Sequence, residues 1–146
     1  MKISTKGRYG LKAVVDIGYY TRDAKCVSLK SVSERQAISE NYLEQIIAPL
    51  KRAGIVHSIR GANGGYFLGK DPKTLTAGDV LRILEGPLTP VDCLVENGPI
   101  CGEADCGKCS TKSVWMSLFA GINELVDSFT IADLMADYEN MSGVLG

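Results

Sequence analysis

Four of the five cysteines in this chain fall within seventeen residues, as Cys93, Cys101, Cys106 and Cys109, spaced C-x(7)-C-x(4)-C-x(2)-C. Thiolate is a soft ligand that selects iron–sulphur clusters, zinc or copper(I). Zinc ribbons and fingers usually offer two close pairs of ligands, and only Cys106 and Cys109 form one here. Cys93 and Cys101 stand singly along a stretch that carries Gly98, Gly102 and Gly107, which suits wrapping around a larger object such as a cluster. Spacing alone ranks a cluster ahead of zinc and leaves zinc open. Cys26, beside Lys25, stands apart and reads as a partly buried structural thiol.

A second set of residues with chemical reach lies in the stretch from Ser39 to Leu68. Ser39 is a good N-cap, and Ile38 before it can pack on Leu43 as a hydrophobic staple. Leu43, Ile46, Ile47 and Leu50 recur at helical spacing and give one buried stripe. The opposite face carries Asn41, Glu44, Gln45, Lys51 and Arg52, all able to hydrogen-bond base edges or phosphates, with Tyr42 near the helix start. Gly54 fits a helix stop. Residues 55–59 read as a strand, Arg60-Gly-Ala-Asn-Gly-Gly65 as a turn, and 66–68 as the returning strand. Arg60 is placed to enter a narrow A·T-rich minor groove, and Gly61 lets the backbone approach closely. Taken alone, a polar helix face is usually just solvated and a glycine-rich hairpin is usually just a turn. Together, behind a further helix, they outline a winged helix. His57, the only histidine, reads as a surface residue of the wing.

These side chains need elements to position them. Residues 5–21 read as a first helix with a broad apolar side, its N-terminal end marked by Ser4, Lys6 and Arg8, where a phosphate would be favoured. Ser28 caps a short helix over 29–36, and Ala37 and Ile38 turn into the third, giving a helix-turn-helix whose second member enters the major groove. Pro49 falls inside that third helix, where it removes a hydrogen bond. Thr76 and Asp79 form a capping box for a fourth helix ending near Glu85. Residues 92–110 read as a loop. From 111 to about 128 a long helix is expected, and Trp115, Leu118, Phe119, Ile122, Leu125, Val126 and Phe129 repeat in threes and fours as a seam that would pack on a partner or fold back on its own domain. Thr130 caps a last helix to about Glu139, and the tail after Asn140 is expected to fray. The expected organisation is a mainly α protein with a small β-wing. A DNA-binding unit spans 1–90, a cysteine loop 91–110, and a dimerisation helix with a C-terminal helix 111–146.

The 146 residues carry a net charge of −1, but the charge is divided. Residues 1–73 hold 13 Lys and Arg against 6 Asp and Glu, a balance of +7; residues 74–146 hold 3 against 11, a balance of −8. A basic half facing phosphates and an acidic half with another task account for such a split. No apolar run is long enough to span a membrane, and the N-terminus lacks the apolar core of a signal peptide, so a cytoplasmic protein is expected, whose thiols would stay reduced. No nucleophile–base pair or acid pair suggests an enzyme.

Several uncommon strings carry a resemblance: Met1-Lys-Ile-Ser-Thr-Lys-Gly-Arg-Tyr9, Tyr42-Leu-Glu-Gln45, Ser58-Ile-Arg-Gly61, Gly64-Gly-Tyr66 and Thr76-Ala-Gly-Asp79. In that order and spacing the chain resembles the bacterial winged-helix regulators of the Rrf-two superfamily, from residue 1 to about 90 and again around Trp115. The resemblance implies homodimers in which the long helix crosses to the other subunit, bound to double-stranded DNA at a roughly palindromic operator. Iron–sulphur members hold a two-iron two-sulphur cluster with three cysteines and a histidine, the last pair spaced Cys-x-x-His. Cys93, Cys101 and Cys106 match the three cysteines, and Cys109 stands where the histidine would be. An alignment anchored on Trp115 instead makes Cys109 the third cysteine and puts Lys112 at the histidine position, so that Cys106 must complete the set. A thiolate in place of imidazole adds negative charge and lowers the reduction potential. Nitric-oxide-sensing members take a ligand from an acidic residue near the N-terminus, where this chain has Arg8 and Tyr9. The cysteine-metabolism repressors that the N-terminal half resembles lack such a cysteine loop. The function implied is a repressor of iron–sulphur or cysteine and sulphur metabolism genes that responds to cluster occupancy. The alternatives are a zinc-stabilised or cluster-free regulator controlled by a partner protein or metabolite, and a redox or cluster-carrying protein.

Overall fold

The computed structural model describes residues 1–95 and 109–145 and folds them into six α-helices, a two-stranded antiparallel sheet and one 3-10 turn. The order is α1 (Thr5–Tyr20), α2 (Leu29–Gln36), α3 (Glu40–Arg52), β1 (Val56–Ile59), β2 (Gly65–Leu68), α4 (Ala77–Glu85), the 3-10 turn (Asp92–Leu94), α5 (Lys112–Asp127) and α6 (Ile131–Leu145). This is the mainly helical winged helix that the periodicity implies. Among the described residues no helix is long and apolar enough to cross a membrane.

Local chemistry explains most boundaries. The Ser4, Ser28 and Ser39 side chains each accept a hydrogen bond from the backbone N–H three residues on, at 3.1–3.2 Å, and so cap α1, α2 and α3. Thr76 and Asp79 close the capping box of α4, with both bonds at 3.0 Å. Thr130 and Asp133 repeat the arrangement for α6. α3 ends in a Schellman motif: the Gly54 N–H donates to Lys51 O and the Ile55 N–H to Leu50 O, both at 3.0 Å, with Gly54 at φ 77°. Pro49 lies inside α3 without ending it.

α1 runs through the middle and touches α2, α3, α4, α6 and β2. Ala13, Val14 and Ile17 of α1 are fully buried against Val32, Ile38, Leu43, Ile46 and Leu50. Ile131 and Met135 of α6 belong to the same core. β1 and β2 pair in the register Val56↔Leu68 to Ile59↔Gly65. Val27 adds a further rung, exchanging two backbone hydrogen bonds with Tyr66 at 2.9 and 2.7 Å. Gly65 makes room for it, because a Cβ there would stand 2.3 Å from the Val27 carbonyl oxygen.

Three local expectations change. α6 continues to Leu145 rather than fraying after Asn140. The segment read as loop from residue 92 opens with the 3-10 turn. The α5 seam divides into two faces: Trp115, Phe119, Ile122 and Val126 are half-buried on the side where the helix meets α4, whereas Val114, Leu118 and Leu125 lie exposed. Polar contacts fix α5 on α4, since Arg82 donates to Asn123 Oδ1 at 3.0 Å and pairs with Asp127. The Arg82 hydrogen bond to Asp127 holds that carboxyl below the usual aspartate range.

Candidate nucleic-acid interface and cysteine segment

The outer face of α3 stands free of the core. Its stripe of Leu43, Ile46, Ile47 and Leu50 is buried, which turns Asn41, Glu44 and Gln45 outward, and all three are exposed. Ser39, though exposed, spends its hydroxyl on the cap. Lys51 and Arg52, exposed in the last turn, also complement the negative end of the helix dipole. Tyr42 differs: its half-buried ring meets the edge of Tyr9 at a centroid distance of 6.0 Å, so it braces α3 on α1.

The wing follows directly. Arg60 is exposed where β1 ends, and Gly61 turns the chain at φ 111° with its carbonyl accepting from the Gly64 N–H at 3.0 Å. A side chain at Gly61 would be strained there, so the glycine is required by backbone conformation. The Asn63 carbonyl accepts from the Cys26 thiol at 3.4 Å, which ties the half-buried Cys26 to the wing tip. Arg8, Lys51, Arg52 and Arg60, together with the half-buried Lys6, form no ion pair among the described residues. These cations remain available to an external anion.

The N-terminus of α1 is a different case. The Ser4 N–H donates to Glu85 Oε1 at 3.2 Å, and its hydroxyl donates to the same carboxylate oxygen. Gly7 permits this, since a Cβ there would stand 2.3 Å from Glu85 Oε1. The protein's own carboxylate therefore fills the position at which a phosphate was expected, and a phosphate at Ser4 would have to displace it.

One feature carries no signal in the motifs. Asp16, on the otherwise apolar inner side of α1, is fully buried. Arg35 reaches it with Nε at 2.9 Å and Nη2 at 2.7 Å, and Gln36 donates to it at 2.8 Å. The Arg35 guanidinium lies 3.9 Å from the centre of the Tyr20 ring, and its pKa is raised above the usual arginine value by the Asp16 hydrogen bond. The Tyr20 and Tyr138 hydroxyls are 3.4 Å apart, and this contact pushes Tyr138 up to about 12, so its hydroxyl stays protonated. α2 is thereby clamped to α1, and α1 to α6. A charged residue among Ala13, Val14 and Ile17 was the available clue, because a buried carboxylate demands a partner.

Of the four clustered cysteines, Cys93 sits half-buried in the 3-10 turn and Cys109 half-buried just before α5. Cys101 and Cys106 lie outside the described residues. Among the described residues no group of three or more His, Cys, Asp or Glu side chains could hold a metal ion. The setting of Cys109 favours a ligand. Its thiol pKa is lowered chiefly by a hydrogen bond with the Thr111 hydroxyl, whose oxygen lies 3.6 Å away and accepts from Trp115 Nε1 at 3.1 Å. The Trp115 contact leaves the Thr111 proton free to point at sulphur and stabilise thiolate, the form that binds soft metals. Four thiols as a donor set fit an iron–sulphur cluster or zinc.

Comparison with known proteins points one way. The family model of Rrf2, an iron-dependent transcriptional regulator, matches residues 3–137. The transcriptional regulator CymR of Bacillus subtilis is 42% identical over 92% of this chain and 89% of its own. IscR of Vibrio vulnificus is 35% identical over 95% of this chain and 80% of its own. Two solved structures superpose with a TM-score of 0.76. The global cysteine regulator CymR of B. subtilis has 40% identity and covers 93% of this chain and 97% of its own. The IscR of T. potens has 42% identity and covers 97% of this chain and 90% of its own.

Proposed function

The chain is a member of the Rrf2 family of DNA-binding transcription regulators, and on that premise we propose that it is a homodimeric repressor governed by a two-iron two-sulphur cluster. Cys93, Cys101, Cys106 and Cys109 would hold the cluster, and the genes controlled serve iron–sulphur or cysteine and sulphur metabolism. The observation that carries the DNA reading is the exposed edge of α3, with Gln45, Glu44 and Asn41 on the same helix as Lys51 and Arg52, which like Arg60 form no ion pair among the described residues. Gln45 would pair with adenine N6 and N7 and Glu44 would accept from cytosine N4, while the cations take phosphates. Similarity to regulators named for cysteine control supports the choice of regulon.

α5 supports the dimer. Val114, Leu118 and Leu125 project from a helix with no buried residue, along a groove that also takes in Gly121 and Ile122. A second copy laid on this face would bury those side chains and set two α3 helices on a roughly palindromic site. The bound cluster would supply a redox- and iron-responsive centre. What the chain itself provides is a thiol at Cys109 whose pKa is lowered by the Thr111 hydroxyl, fixed to the first turn of α5 through Thr111 and Trp115. A cluster-free or zinc-holding regulator is the competing reading, favoured if iron and sulphide are absent from protein purified without oxygen.

Fluorescence anisotropy with labelled promoter fragments tests the DNA reading. Gln45→Ala should weaken the preferred site by about 1–3 kcal/mol and leave random DNA unaffected. Equal weakening on both would remove Gln45 from the base readers.

A further inference from the structure

Asp16 is the one buried charged side chain among the described residues, and it lies on α1 among Ala13, Val14 and Ile17. Burying an ion pair is costly, and apolar residues of similar volume often stabilise a fold as well or better. What an apolar contact does not give is direction. Arg35 grips Asp16 with two forked hydrogen bonds, Nε at 2.9 Å and Nη2 at 2.7 Å, and the fork admits one relative orientation of guanidinium and carboxylate. The face of the same guanidinium rests 3.9 Å from the Tyr20 ring centre, and Gln36 adds a third bond to the carboxylate. α2 has little else to hold it: Val32 is its one buried residue, with Leu29 half-buried, whereas α3 buries Leu43, Ile46, Ile47 and Leu50.

The joint from α2 to α3 is short and fixed at each step. Ala37 takes the left-handed conformation at φ 55°, the buried Ile38 donates its N–H to Ser33 O at 3.2 Å, and the Ser33 hydroxyl donates back to the Ile38 carbonyl. Ser39 then caps α3. A tilt of α2 on α1 is passed across this joint to the first turns of α3, which carry Asn41, Glu44 and Gln45. We propose that the Asp16–Arg35 fork is a positioning device for the recognition helix, one that supplies sequence discrimination more than stability. This rests on the reading of α3 as the helix that meets base edges. Asp16 and Arg35 touch no base in it; they set where Gln45 stands once the cations of α3 and the wing lie on phosphate. A base-edge hydrogen bond fails within about 1 Å of displacement, whereas the long, flexible stem of a lysine lets its phosphate contact follow. Discrimination is therefore lost before affinity for DNA.

The test measures the affinity of variants of the full chain for two labelled duplexes, by anisotropy well below the melting transition. One duplex is selected by the wild-type chain from a randomised pool, and the other is a scramble of it with the same composition. Arg35→Lys keeps the charge and loses the fork; Asp16→Leu with Arg35→Met replaces the pair by apolar groups. Either should lower the preference for the selected duplex about tenfold, the scale of one misread base pair, and leave the scrambled duplex bound as before. Combining Arg35→Lys with Gln45→Ala should cost little more than Gln45→Ala alone, because a misplaced Gln45 has no base contact left to lose. An unchanged preference in Arg35→Lys, whatever its melting temperature, overturns the proposal and leaves the pair a stabilising contact. So does a loss of equal size on both duplexes, or full additivity with Gln45→Ala. If the apolar pair fails to melt cooperatively in circular dichroism, Arg35→Lys decides alone. If Gln45→Ala itself leaves the preference unchanged, the reading of α3 fails and the positioning role falls with it. If Gln45→Ala lowers the preference and Arg35→Lys does not, the positioning role alone falls.

Discussion

Asp16 illustrates how much one side chain can decide. Its carboxylate receives three hydrogen bonds, all from α2, and none of the three donors lies within eighteen positions of it along the chain. Caps such as Ser28, Ser39 and Thr76 are legible in sequence because donor and acceptor sit three residues apart. The partners of Asp16 are not, because only the fold brings them together. Ala37 is a second illegible residue: it ends α2 in the left-handed region at φ 55°, a conformation usually given to glycine or asparagine. The cysteines are legible by type and spacing, and their individual roles are testable one at a time. Protein prepared without oxygen should carry iron and sulphide in equal amounts. Cys93→Ala, Cys101→Ala and Cys106→Ala should each lose both, and Cys109→Ala should lose them or hold them loosely. Cys26→Ala should keep them, because Cys26 bonds to the wing and lies far along the chain from the cluster of thiols. Zinc without sulphide on elemental analysis would replace the cluster by the zinc alternative.

At the level of elements, α5 shows what periodicity reads and what it leaves out. The repeat from Trp115 to Val126 announces a helix with one apolar seam; the helix is there, and the seam is split over two faces. Which residues face α4 and which face away depends on the angle at which α5 lies on α4. Arg82, Asn123 and Asp127 set that angle through polar contacts that no apolar repeat encodes. The outward half is where association is expected, since burying a leucine is worth about 1.5–3 kcal/mol. Leu118→Glu combined with Leu125→Glu would place charge on that face. The doubly substituted protein should run as a monomer in light scattering, keep its helical circular dichroism, and bind half-sites weakly. A dimer that survives both changes would move the interface elsewhere. The wing gives the opposite lesson: its strands and turn are legible from glycine placement, but the extra rung at Val27 comes from a residue thirty-nine positions away.

On the scale of the whole molecule, the charge division of the sequence becomes a division of elements. The basic half of the sequence holds α1 to α3 and the wing, and the acidic half holds α4 to α6, so the proposed DNA-binding elements and the rest of the chain differ in the sign of their charge balance. The two halves are nevertheless one core. Ile131 is fully buried beside Val14, Ile17 and Leu75, its N–H donates to the Leu75 carbonyl at 2.8 Å, and the Ala77 N–H donates to Phe129 O at 2.8 Å. Met135 adds to the same cluster, and a Cβ at Gly18 would stand 2.9 Å from its sulphur. A chain stopped at residue 128 should therefore melt earlier than the full chain by several degrees, about 2–5 kcal/mol being typical for the loss of one large buried aliphatic group; an unchanged melting curve would show that the first 128 residues suffice. For a protein leaving the ribosome N-terminus first, the consequence is one of timing. The helices that would read a promoter emerge early but gain their last internal support only when the final helix arrives. Interrupted translation before α6 would then leave fragments less stable than chains that include it, so occupancy of a promoter would favour the longer copies.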